Sequence, residues 1–282
     1  MSPTHAFWRQ YRRNKPAVAG LGILVLVVFC ALSASIVSPE NPWAIVGQPY
    51  LWPGQDPRFP LGTDVLGRDM LAGVLHGASA SLAIGLTSAF LATVVGTVVG
   101  CAAGYYGGWF DDVLMRVAEA FQTIPSLLMA IIVVALFQPS LVTIVAAISL
   151  VSWPGTARLM RAETMRVRTA DFVAACTTYG MGDSRIIMTQ ILPNCLAPLI
   201  VIVSVKVAMA ILVEAGLSFL GLGDPAQLSW GTMIANGRDA LRSAWYMSAI
   251  PGVAILLTVM SINLVGEGLN DALNPHLRER AV

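Results

Sequence analysis

The chain has 282 residues, 56% of them hydrophobic and only 12% charged, with a mean hydropathy of +0.71 and a formal net charge of +1. Soluble domains carry about 25% charged residues, so a soluble globular class is excluded; the net charge itself says nothing about nucleic acid, no nucleic-acid partner is expected, and what matters is where the charges fall. Uncharged stretches about twenty residues long recur, the length that a bilayer core of about 30 Å requires, and the fold class expected is an all-α polytopic membrane protein.

Six spans are predicted, at roughly 17–37, 80–104, 113–137, 141–157, 195–217 and 246–268. The first has no charged residue and follows Arg9, Arg12, Arg13 and Lys15. Its Ala-Leu-Ser-Ala at 31–34 resembles a signal cleavage site, but the apolar run is longer than a signal core and more spans follow. A retained anchor is expected. In the second span Gly96, Gly100 and Gly104 are spaced by four, which lets helix backbones approach closely; glycine is also simply frequent in membrane helices. Arg116 and Glu119, three apart, can pair on one helix face. Pro125 and Pro154 fall in or near spans, where kinks are tolerated if neighbours satisfy the freed carbonyls. The fourth span is short, and Arg158 can snorkel to extend it.

Between spans four and five lies "DFVAACTTYGMGDSRIIMTQILPN", 171–194. It is too polar to cross a bilayer and too apolar for an idle loop. Asp171 is placed to cap a short helix, on which Phe172, Ala175, Cys176 and Tyr179 fall at helical spacing as one apolar stripe. Gly180 and Gly182 end that helix. Asp183 or Ser184 caps a second, and Pro193 sits in the first turn of the fifth span. The stripe needs a cover: its own spans and lipid headgroups, or a groove on a soluble partner. The residues alone leave both open.

Lys206 falls near the middle of the fifth span, where a lysine costs roughly 2.5–3.5 kcal/mol. Glu214 is eight residues on, about 12 Å along the axis and too far for a direct pair. Lys206 therefore either lines a substrate path, favouring carboxylates, or meets an acid or carbonyls of a partner chain. Glu214 opens "EAGLSFLGLG" and is placed to anchor that segment.

Lysine and arginine placement gives the orientation. With the N-terminus inside, the cytoplasmic side collects Arg9, Arg12, Arg13, Lys15, Arg116, Arg158, Arg161, Arg166, Arg168, Arg185, Arg278 and Arg280, against Arg58, Arg68, Arg238 and Arg242 outside. Both termini are then cytoplasmic, as is 171–194. The outer loops, about 38–79 and 218–245, mix aromatics with Gly and Pro, which suits segments at the membrane interface. None of the four cysteines falls in those loops, so no disulfide framework is indicated. His5, His76 and His276 are scattered and no metal site is expected.

The 171–194 segment resembles the cytoplasmic loop of binding-protein-dependent ABC importer permeases, which runs Glu-Ala-Ala, three residues, Gly, then about ten to Leu-Pro. Ala174, Ala175 and Cys176 hold the Glu-Ala-Ala positions, Gly180 the glycine, and Leu192 and Pro193 the ending. Ala174 departs from the pattern and removes a charged docking contact. "RRNKPAVAGLGIL", "FPLGTDVLGRDML", "GYYGGWFDDVLMRVAEAFQTIPSLL", "WPGTARLMRAE", "EAGLSFLGLGDPAQLSWGTMI" and "LVGEGLNDALNP" resemble the C-type permease of the dipeptide/oligopeptide/nickel importers, covering nearly the whole chain in order.

The resemblance implies a type I ABC importer permease fold: a tail, first helix and external loop over 1–79, a five-helix core over 80–271 with a coupling loop at 158–194, and a tail over 272–282. It implies a non-catalytic subunit in a bacterial inner membrane, paired with a homologous B-type permease, gripped by one or two kinds of cytoplasmic ATPase subunit and served by an extracytoplasmic binding protein. No Gly-x-x-x-x-Gly-Lys-Ser/Thr sequence is present, so ATP and magnesium belong to the ATPases. Peptides are the expected cargo, with nickel or another small solute as the alternative in the family. A secondary carrier or an intramembrane enzyme is the alternative from other classes; the latter lacks a clustered nucleophile and base.

Overall fold

Helix caps and breaks set the architecture. The structure is a computed structural model that describes residues 3–39 and 41–273; Arg278, Arg280, His276 and most of the expected 272–282 tail lie outside the described residues. Helix α1 (Pro3–Arg13) gives way at Asn14, whose side chain accepts the Ala17 N–H at 3.1 Å and so caps α2 (Lys15–Val37). Asn14 also donates to Asp271 at 2.9 Å, tying this corner to the far end of the chain.

Helix α3 (Met70–Tyr106) starts well before the predicted 80, because Asp69 caps it by accepting the Leu71 N–H at 2.9 Å. The boundary expected at 79/80 therefore falls inside a helix. Gly107 and Gly108, at φ +66° and +59°, end it through backbone that favours glycine. The third predicted span, 113–137, is instead two helices, α4 (Gly108–Thr123) and α5 (Ser126–Phe137), bent by 85°. Pro125 causes the break: it lacks an N–H and holds Ile124 extended, at φ −93° and ψ 132°.

Helix α6 (Leu141–Arg168) runs through Pro154 without stopping, so the first part of the expected 158–194 loop is helix. Among the described residues five helices are long and apolar enough to cross a membrane, giving six spans if the bent pair counts as one. The other three long ones are α2, α10 (Leu196–Leu217) and α12 (Tyr246–Leu273).

Helices α3 and α6 form the most extensively packed pair. A Cβ on Gly96 would stand 2.7 Å from the Trp153 carbonyl oxygen, one on Gly100 2.7 Å from Met160 Cβ, and one on Gly104 2.6 Å from the Arg161 carbonyl. The three glycines thus form the face on which α6 lies. Helices α10 and α2 pack against α3, α12 packs against both of them, and α4 and α5 lie against α6.

Residues 41–69 fold into a tight cap over the start of α12. Thr63 Oγ1 accepts the Leu51 N–H at 3.0 Å and donates to the Gln48 carbonyl at 2.6 Å. Buried Tyr246 shares its single hydroxyl proton between the Leu51 and Thr63 carbonyls, at 2.8 and 2.7 Å. Tyr246→Phe is expected to cost about 1 kcal/mol and to make this cap cleave sooner in limited proteolysis.

After α10 a wide turn, Ser218–Leu222, breaks at Gly221 (φ +82°) and the chain folds back as α11 (Trp230–Gly237). Trp230 is fully buried and donates Nε1–H to the Val74 carbonyl at 3.0 Å. Glu214 holds the fold-back: its Oε1 accepts from Ser218 Oγ at 2.7 Å and Ser229 Oγ at 2.6 Å. The four cysteines are free thiols.

Candidate functional site

The segment between α6 and α10 is a small helical knob. Helix α7 (Asp171–Thr178) is capped by Ala170, with Asp171 in its first turn, not at the cap as expected. A carboxylate there still favours the positive end of the helix. The helix ends in a two-bond Schellman closure: the Gly180 N–H reaches the Thr177 carbonyl at 3.0 Å and the Met181 N–H the Cys176 carbonyl at 3.1 Å. Gly180 stands at φ +74°, with open space where a Cβ would be.

The apolar stripe divides in two. Val173 is buried and, with half-buried Cys176, packs into a core of Cys101, Tyr105, Met160, Ile186 and Ile191. Phe172, Ala175 and Tyr179 point outward, Tyr179 at 87% exposure. Val173, the residue that roots the knob, was not on the predicted stripe, although its spacing of three to Cys176 is the available signal. Ala174 opens onto a cleft of about 330 Å³, lined also by Tyr105, Arg168, Thr177 and Asp183.

A second short helix, α8 (Asp183–Ile186), is capped by Gly182, with Asp183 one position inside rather than at the cap. The Asp183 carboxylate accepts the Tyr105 hydroxyl at 2.9 Å, which fastens the knob to the last turn of α3. Arg168 lies over the same tyrosine ring, 5.6 Å from its centroid. The chain then widens into a π turn, Ile187–Ile191, before α9 (Leu192–Asn194). Pro193 lacks an N–H and its ring presses on the carbonyl one turn back, and the wider turn accommodates both. Pro193 therefore precedes the fifth span: Cys195 separates α9 from α10. The Asn194 side chain donates to the Gln190 carbonyl at 2.6 Å.

Beside the knob, Asp111 of α4 is buried and accepts a bidentate pair of bonds from Arg161 of α6, both at 2.5 Å. Arg116 and Glu119 pair at 3.5 Å on the exposed face of α4. Lys206 lies on α10 and donates to the Ser152 carbonyl of α6 at 2.5 Å. Its compensation is a carbonyl of the same chain. Among the described residues no group of three or more His, Cys, Asp or Glu could hold a metal ion.

Residues 96–279 match the family described as the binding-protein-dependent transport system inner membrane component, and residues 2–58 match the N-terminal transmembrane domain of oligopeptide transport permease C. The chain is 42% identical to the di/tripeptide transport system permease protein DppC of Pseudomonas aeruginosa, over 99% of this chain and 94% of that protein. It is 41% identical to the dipeptide transport system permease protein DppC of Escherichia coli K12, over 99% and 95%. A chain of the inward-facing MetNI methionine ABC transporter superposes with a TM-score of 0.62 at 16% identity, covering 73% of this chain and 98% of that one, a likeness of fold. Matched along nearly its whole length, the chain belongs to the binding-protein-dependent transport inner-membrane components, as a C-type ABC importer permease.

Proposed function

We propose that this chain forms half of the translocation path of an ATP-driven peptide importer in a bacterial inner membrane and passes ATPase motion to that path through α7. Peptide cargo is favoured over nickel because the relatives at 42% and 41% identity are peptide permeases by name. The observation that carries the coupling role is the exposed Phe172–Ala175–Tyr179 face on a knob rooted by Val173 and by the Tyr105–Asp183 bond. An apolar helix face held rigidly in the open suits a groove on a soluble partner. The docking segment is 169–194, with Phe172, Ala174, Ala175, Cys176, Tyr179, Gly180, Asp183, Leu192 and Pro193 as its parts.

The excess of arginine on the α7 side supports a cytoplasmic position for both termini and the knob. The partners are a homologous B-type permease, cytoplasmic ATPases that hold ATP and magnesium, and an external binding protein over the 41–69 cap. Lys206 borders the path. ATPase closure, gripping the knobs, biases a two-state membrane element.

The test is binding-protein-stimulated ATP hydrolysis by the assembled complex. Tyr179→Asp would put an unpaired carboxylate into the docked face, costing about 3 kcal/mol, or a factor of about a hundred in docking. Stimulation is expected to vanish with the permease still inserted. Unchanged stimulation would refute the docking role.

A further inference from the structure

An ammonium in a membrane helix must satisfy three N–H donors. Lys206 spends one on the Ser152 carbonyl. No ion pair to it forms among the described residues, and Glu214, the other ionisable group deep in α10, is engaged by two serines. Two donors are left over. The ammonium rests against a bare stretch of α6: a Cβ on Gly155 would stand 3.7 Å from Nζ, and Pro154 beside it contributes no N–H. On α10 its neighbours Val205, Met209 and Leu212 are exposed and apolar. A cation with unmet donors is not stable against hydrocarbon and belongs beside a polar cavity.

We propose that Lys206 is a two-position carboxylate anchor. In one position it is parked on the Ser152 carbonyl and ties α10 to α6. In the other it makes a charge-assisted hydrogen bond to the C-terminal carboxylate of a peptide in the path, and the tie to α6 is released. A carboxylate outcompetes the carbonyl because the bond from the ammonium is charge-assisted in both positions, and only the carboxylate adds the attraction of a full opposite charge. The path then selects for a free C-terminus and prepares α6, which leads directly into the knob, to move when cargo is present. This rests on the importer reading above and adds to it a chemical preference and a trigger.

The experiment uses the complete complex in proteoliposomes, loaded by its own binding protein, and measures uptake of dialanine and of dialanine amide. Any preference of the binding protein is common to all permease variants and cancels when their acid-to-amide ratios are compared. Lys206→Met is expected to lower the ratio about tenfold, while Lys206→Arg keeps it. An unchanged ratio, including an equal fall in both uptakes, overturns the anchor and leaves the importer reading standing. Should Lys206→Met fail to co-purify with the partner permease, Lys206→Gln, which keeps a donor for Ser152 without the charge, carries the same comparison. Loss of assembly in both would make Lys206 a subunit contact and overturn the proposal. Absence of uptake of both peptides by the wild type would bring down the importer reading itself, and the anchor with it; uptake of dialanine alone, by the wild type and by Lys206→Met alike, overturns the anchor.

Discussion

Gly180→Pro abolishes ATP-driven uptake while leaving expression and membrane insertion intact: that is the expected result of uptake and ATPase assays on the assembled complex. The native residue stands at φ +74° and donates its N–H to the Thr177 carbonyl. Proline is fixed near φ −65° and has no N–H, so it fails on both counts and the closure of α7 cannot form. Gly180→Ala keeps the donor and pays only the left-handed penalty, about 1–2 kcal/mol, so partial uptake is expected. The graded order Gly, Ala, Pro separates a conformational role from a contact role, since open space surrounds the missing Cβ. Full transport by the proline variant would remove the knob from the mechanism.

Arg161→Ala is expected to be the most damaging single change to stability near the knob, costing up to about 3 kcal/mol. The reason lies in Asp111, whose side chain is only 9% exposed while that of Arg161 is 35% exposed. Removing the arginine strands a buried carboxylate. Asp111→Asn leaves a guanidinium that is a third exposed and that water can reach, and should cost less. The pair Asp111→Leu with Arg161→Met removes both charges and should recover most of the loss. Thermal unfolding in detergent measures all four proteins; equal losses in the two single variants would contradict this asymmetry.

Much of the helix plan was legible because it is written in local chemistry. The long apolar runs of α2, α10 and α12 show themselves by length and composition, and Gly180 and Pro193 mark the knob by their backbone preferences. What escaped depends on partners distant in sequence. The start of α3 was hidden because Asp69 looks like one more polar loop residue until its side chain meets Leu71 N–H. Asp183 or Ser184 is the cap that the sequence offers because helix starts attract both residue types, whereas Tyr105, far back in the chain, takes the Asp183 carboxylate. The break at Pro125 was foreseeable as a kink, but an 85° bend depends on α5 finding its own place against α6. Val173 and Phe172 are adjacent apolar residues, and only the packed core determines which one faces inward.

The fastening of Asp183 to Tyr105 gives the long third helix a mechanical meaning. Its 37 residues form a rod of about 55 Å at 1.5 Å per residue. One tip is gripped by the knob, and the other emerges from the knot of 41–69 at Asp69. A rigid shaft of that length tilted by about 5° about one tip sweeps the other through about 5 Å, close to the pitch of one helical turn. A small nudge at one end is therefore geared up into a displacement large enough to change which side chains meet at the opposite face.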